Sequence, residues 1–110
     1  MTRSRDTAEA QTQEPLTPAM FHVLLALADG EKHGYAMMED IQRFADIRLG
    51  PGTLYGAITR LEERGLIRAV PSDDRRQPYS LTAAGRTALE EQTASLDRVV
   101  KIALKRLNHA

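Results

Sequence analysis

Cysteine is absent from this chain of 110 residues, which excludes disulfide scaffolds, cysteine nucleophiles and thiolate metal sites. That absence fits a reducing cytosol without requiring one. No apolar run approaches the about 20 residues that cross a bilayer. The amino terminus has no apolar signal-peptide core, so the cytoplasm is the expected location. Net charge is missing too: 15 Lys and Arg balance 15 Asp and Glu. Whole-chain electrostatics therefore give no support for a nucleic-acid partner, and such a claim must rest on where the charges sit. His22 and His109 are isolated, with no metal-ligand spacing, so no metal or cofactor is expected. Ser72, Ser80 and Ser95 have no nearby histidine, and GPGTLYG (50–56) lacks the lysine and spacing of a phosphate loop, so no enzyme is expected.

What is present is ordinary for a globular chain: 42% hydrophobic and 27% charged residues, enough for one domain with its own core. Residues 1–15, MTRSRDTAEAQTQEP, hold no aliphatic side chain larger than alanine after Met1. Burial there cannot offset the entropy of ordering, which predicts a mobile tail. Arg3 and Arg5 in it either touch an anion or are solvated.

From Leu16 the pattern becomes helical. Thr17 supplies a hydroxyl cap and Pro18 a first-turn proline, and Met20, Val23, Leu24 and Leu27 follow at helical spacing, giving a first helix over about 17–29. A second is predicted over about 34–45, with Tyr35, Met38, Ile41 and Ala45 as its apolar stripe. Pro51 opens the third and Gly65 closes it, while Leu54, Ile58 and Leu61 share its inner face. LIRAV (66–70), PSDDRR (71–76) and QPYSLT (77–82) then read as strand, turn and strand. Pro78 cannot donate to a ladder, so its strand should lie at an edge or break there.

Thr82 caps a last helix over about 83–107. Leu89, Leu96 and Ala103 recur every seven residues, and Thr93, Val100 and Leu107 repeat four residues after each. Those steps form a seam against another helix, widened by Val99, Ile102 and Leu104. A partner chain is the simplest cover. The alternative is a helix folded back on its own domain.

Three helices, a hairpin with a basic tip and a long final helix make a mainly α (α+β) fold: a winged helix-turn-helix over 16–82 followed by a carboxyl-terminal dimerisation helix over 83–110. In such motifs the second helix of the pair enters the major groove. Helix 51–64 would then show DNA its outer residues Thr53, Tyr55, Gly56, Thr59 and Arg60. Thr53 sits where free backbone N–H groups and a hydroxyl hold phosphate. Gly56 keeps the surface low for close approach. Thr59 suits a base edge or a thymine methyl, and Arg60 suits guanine or phosphate. Two of them have a plainer reading: Tyr55 packed at the core edge, Arg60 paired with Glu63. Arg64 should point away from the groove.

The wing, residues 71–77, would bring Arg75 and Arg76 to the backbone or the minor groove, unless Asp73 and Asp74 neutralise them. Lys32 and His33 could meet phosphate at the start of the second helix, or simply occupy a solvated turn, and Tyr35 is expected in the core. The expected dimer contacts are Leu89, Leu96, Val99, Val100, Ala103, Leu104 and Leu107.

Several of these residues carry a resemblance: His33-Gly34-Tyr35, Gly52-Thr53-Leu54-Tyr55, Arg60-Leu61-Glu62, Gly65-Leu66-Ile67, then Arg75-Arg76, Tyr79, Leu81-Thr82 and Gly85. In this order, over about 17–86, the sequence resembles the PadR-like family of transcriptional regulators, named for repressors of phenolic acid decarboxylase genes. The single final helix looks like the compact subgroup. The resemblance implies a homodimer that binds a near-palindromic double-stranded DNA operator and represses until a small molecule or stress signal releases it. Some compact members hold aromatic drugs between protomers with tryptophan. This chain has none, so that ligand class does not carry over, and Gln77-Pro78 departs from the family's more regular basic wing strand. A rival reading is a winged-helix adaptor that binds protein without specific DNA binding, in keeping with the zero net charge.

Overall fold

A computed structural model describes residues 14–109; residues 1–13 of the expected tail, with Arg3 and Arg5, lie outside the described residues. The element order is α1 (Pro18–Ala26), β1 (Lys32–His33), α2 (Gly34–Ala45), α3 (Pro51–Glu63), β2 (Ile67–Ala69), β3 (Pro78–Leu81) and α4 (Ala83–Asn108). This is a winged helix-turn-helix followed by a long carboxyl-terminal helix.

The start of each helix follows from local chemistry. The Thr17 hydroxyl accepts from the Met20 N–H at 3.2 Å, and Pro18 fills the first turn of α1. Pro51 does the same for α3, whose N-cap Gly50 offers no side chain. Gly65, at φ +73°, reverses the chain after α3, a left-handed conformation that glycine adopts without steric cost. The Leu66 N–H then bonds back to the Leu61 carbonyl.

One core joins the three short helices. Met20, Val23, Leu24 and Leu27 meet Met37, Ile41, Leu54, Ala57, Ile58 and Leu61, with Leu66 and Ile67 from the hairpin. Each fully buried aliphatic side chain contributes about 1.5–3 kcal/mol, so this cluster is the main reason the helices close. The stripe of α2 differs from the expected one. Gly34, Met37 and Ile41 face inward, whereas Tyr35 is 58% exposed. Helical spacing allowed either face, and the inward position next to Tyr35 belongs to a glycine, which carries no hydrophobic signal.

The sheet has three antiparallel strands in the order β1-β3-β2. Lys32 pairs with Tyr79 and His33 with Pro78, while Ile67, Arg68 and Ala69 pair with Leu81, Ser80 and Tyr79. The proline-bearing strand is therefore central, not at an edge. Pro78 is tolerated because it is the first residue of its strand, and its carbonyl still accepts from the Val70 N–H.

Helix α4 is rooted tightly. The Thr82 hydroxyl accepts from the Gly85 N–H at 3.0 Å and donates to the Gly65 carbonyl at 2.7 Å, and the Thr82 N–H donates to the Leu66 carbonyl. A side chain at Gly85 would meet that Leu66 carbonyl oxygen at 1.9 Å. Leu89 is buried in the chain's own core, and Arg86 donates to the Ala28 carbonyl at 3.2 Å. Beyond Leu89 the helix leaves the body of the protein. At 1.5 Å per residue, its 26 residues extend about 39 Å.

Candidate nucleic-acid interface

Helix α3 buries Leu54, Ala57, Ile58 and Leu61, which turns Thr53, Tyr55, Gly56, Thr59 and Arg60 outward; all five are exposed. The open space around Gly56 matches the low surface expected there. The Thr59 hydroxyl donates to the Tyr55 carbonyl at 2.9 Å. Its proton is thereby occupied, so Thr59 shows outward a methyl group and oxygen lone pairs rather than a donor. Tyr55 is 48% exposed, not packed into the core. Its ring lies over Gly34, where a Cβ would meet the phenolic oxygen at 2.3 Å. Only the missing side chain of α2's first residue lets the tyrosine lie there.

The wing reaches the same place. Gln77 Nε2 donates to the Val70 and Pro78 carbonyls, both at 2.8 Å, which pins the two strand ends together. At the tip the Asp74 N–H donates to the Ser72 hydroxyl, and the Arg76 N–H donates to an Asp74 carboxylate oxygen. Asp74 thus shapes the turn through the backbone. Among the described residues no carboxylate lies within 4.0 Å of the guanidinium of Arg75 or Arg76. His33, Gly34, Tyr35, Tyr55, Arg75, Arg76 and Gln77 line a cleft of about 310 Å³ between wing and α3. Four of the residues singled out from sequence, His33, Tyr55, Arg75 and Arg76, therefore converge.

His33 holds two contacts at once. Its Nδ1 caps α2 by accepting from the Ala36 N–H at 3.3 Å, and its Nε2 lies 3.1 Å from Arg76 Nη1. At the floor of the wing, burial foremost, then the Glu62 carboxylate and the Tyr55 phenol, push the Tyr79 hydroxyl above its usual range. Tyr79 accordingly stays a neutral phenol.

Other expected residues lie elsewhere. Lys32 does not face outward: its ammonium donates to the Ala26 carbonyl at 2.6 Å and to Asp29, and lies 3.9 Å from Asp40. It closes the turn between α1 and β1, and a lysine so engaged is withdrawn from phosphate. That ion pair also holds the Asp29 carboxyl below its usual range. Arg60 is exposed at the edge of the outer face of α3 away from the wing, beside a depression of about 410 Å³ that Glu14, Thr17, Met20, Glu63 and Arg64 also line. Among the described residues it makes no ion pair with Glu63. Arg64 turns toward the chain before α1, donating to the Glu14 carbonyl at 3.0 Å.

The expected dimer face divides. Leu89 is 6% exposed and belongs to the chain's own core, because the seven-residue ladder begins on the rooted part of α4. Leu96, Val99, Val100, Ala103, Leu104 and Leu107 are exposed, as is Ile102. Leu25 of α1, Phe44 of α2 and Ile47 add apolar surface that sequence reasoning missed. For Leu25 and Phe44 the signal was an outward position on helices whose inner faces were already filled; Ile47 lies beyond the end of α2. Among the described residues, no helix is long and apolar enough to cross a membrane, and no group of three potential metal ligands occurs.

The sequence model described as the transcriptional regulator PadR-like family matches residues 23–91. A transcriptional regulator of Mycobacterium tuberculosis is 35% identical over 91 residues, covering 80% of this chain and 84% of the relative. A protein of a Streptomyces fradiae transposon, described only as an uncharacterized 37.1 kDa protein, is 47% identical over 81 residues. That match covers 74% of this chain, which spans only 24% of the relative's length. Among solved structures, a PadR family transcription regulator from Clostridium difficile superposes with a TM-score of 0.76 at 23% identity, covering 83% of this chain and 99% of the other. A transcriptional regulator from Clostridium thermocellum gives 0.71 at 26%, covering 79% and 87%.

Proposed function

The chain belongs to the PadR-like family of transcriptional regulators, and we propose that it is a repressor that binds a near-palindromic operator as a homodimer. Helix α3 lies in the major groove, with Thr53, Tyr55, Gly56, Thr59 and Arg60 toward the DNA. The wing sets Arg75 and Arg76, with His33 beside them, on the backbone. Lys32 has no part in this contact. A small-molecule or stress signal releases the complex.

The observation that carries this reading is the cleft where His33, Tyr55, Arg75 and Arg76 meet. It joins the outward face of α3 to the wing, and its two guanidinium groups have no carboxylate partner among the described residues. Neutrality of the whole chain is no obstacle, since phosphate responds to the local arrangement of charge. The homodimer is supported by the apolar outer half of α4, where Leu96, Val99, Val100, Leu104 and Leu107 are exposed. A contiguous apolar surface of this kind marks an interface, and pairing two such helices sets two copies of α3 at a fixed spacing, as a palindrome requires.

Band-shift titration of the DNA upstream of the chain's own gene tests the reading. Specific binding should weaken steeply with added salt, because Lys and Arg contacts to phosphate release counterions. Binding that ignores both salt and sequence refutes it. The adaptor alternative is separated by Arg75→Ala with Arg76→Ala, which should abolish most DNA binding yet spare a protein partner held by apolar contacts.

A further inference from the structure

The two contacts of His33 conflict, and the conflict indicates a ligand. The Ala36 N–H points at Nδ1, so Nδ1 must present its lone pair to keep the cap. A neutral imidazole then carries its single ring proton on Nε2. The atom 3.1 Å from that nitrogen is Arg76 Nη1, and a guanidinium has donors only. Two N–H groups thus face one spot. Shifting the proton to Nδ1 would let Nε2 accept from Arg76, but it would strip the cap from the Ala36 N–H. An imidazolium relieves neither contact. Within the chain, at least one of the two is always unsatisfied.

An external acceptor satisfies both. We propose that His33 Nε2–H and Arg76 Nη1–H form a two-donor seat for one anionic oxygen of a DNA phosphodiester. The seat opens into the cleft that Tyr55 and Arg75 also line, on the side where α3 presents its outer face. The oxygen accepts from both groups, and the Arg76 charge balances that of the phosphodiester. This inference rests on the DNA-binding reading above and assigns within it a particular pair of atoms. It makes His33 a phosphate ligand whose helix-capping role fixes the tautomer that donates.

The test divides the imidazole into its two ends. His33→Asn retains an oxygen near Nδ1, so it can still cap α2, but loses the outer donor. His33→Gln places an amide N–H near the Nε2 position and loses the cap. Each is titrated against the site that the wild type selects from random-sequence duplexes, and against copies carrying one neutral methylphosphonate at successive backbone positions.

The wild type should lose about tenfold in affinity at one position in each half-site, the scale of one charge-assisted hydrogen bond. His33→Asn and Arg76→Ala should each bind about tenfold more weakly and become insensitive to substitution at that same position. Elsewhere along the backbone both should still respond as the wild type does. His33→Gln should keep its sensitivity there while melting at a lower temperature. The inference is overturned if His33→Asn binds as the wild type does, or if His33→Asn and Arg76→Ala lose sensitivity at different phosphates. If the wild type itself shows no salt-sensitive, sequence-selective binding, the regulator reading fails along with it.

Discussion

Two glycines sit in close contacts of opposite kind, and replacing each with alanine should separate folding from DNA binding. At Gly34 the new Cβ would lie 2.3 Å from the Tyr55 phenolic oxygen. That atom is the free end of an exposed side chain, which can rotate away. Replacing glycine by alanine where the backbone accepts it stabilises by about 0.4–1 kcal/mol through the unfolded chain, which offsets the lost packing of the ring. Gly34→Ala should therefore melt within a few degrees of the wild type while expelling Tyr55 from the cleft and weakening operator binding about tenfold, as loss of one good contact would.

At Gly85 the Cβ would lie 1.9 Å from the Leu66 carbonyl oxygen. That oxygen belongs to backbone and already accepts from the Thr82 N–H, so it cannot give way alone. The root of α4 must shift, at about 1–3 kcal/mol or more for overpacking. At about 4–8 °C per kcal/mol for a domain of this size, Gly85→Ala should lower Tm by roughly 10 °C. Circular-dichroism melts at equal protomer concentration, with band shifts at low temperature, give both readouts. The reasoning fails if Gly34→Ala melts as low as Gly85→Ala, or if it melts normally and binds DNA like the wild type.

Thr17→Ala removes the oxygen that caps α1 at Met20, and urea denaturation should show a loss of about 1 kcal/mol. Leu104→Lys puts a charge in the middle of the exposed stripe of α4 and should shift sedimentation from dimer toward monomer with the melting of each protomer's core little changed; a persistent dimer would place the interface elsewhere. His22 packs beside Phe21 and Phe44, and burial holds its imidazole below the ordinary value of 6.5. The unfolded chain therefore binds more protons, so this contribution is complete above pH 6.5 and is lost as pH falls through the lowered folded value. His22→Gln should flatten the stability profile between about pH 5 and 7, as read by denaturant melts at each pH.

Where short-range chemistry decides, the sequence was legible. Thr17-Pro18, Pro51, Gly65 and Thr82 mark helix boundaries because capping and proline rules act within a few residues. Leu54, Ile58 and Leu61 identified the inner face of α3 because its opposite side is polar. Tyr35 is exposed for a reason that periodicity cannot detect: the inward neighbour is Gly34, whose missing side chain leaves space under Tyr55. Strand β1 has two residues, too few to alternate, and exists because β3 passes beside it. Leu89 continued a seven-residue ladder whose members divide between core and surface, a division set by where α4 leaves the body. Lys32 carried no mark of the Ala26 carbonyl that holds it. The convergence of His33 with Arg76 joins residues 43 positions apart, and no local pattern encodes such a meeting.

Thr82 is bonded at once to Gly65 and Leu66, in the link between α3 and β2, and to the first turn of α4. The link that follows α3 and the start of the long terminal helix are therefore tied together through this one residue. From Gly85 to Leu107 is about 33 Å along the axis at 1.5 Å per residue. A turn of about 5° at that junction would carry the far tip through roughly 3 Å, close to the rise of one base pair. In the proposed homodimer, re-seating the two tips by a few ångströms would therefore change the angle at which α3 is presented.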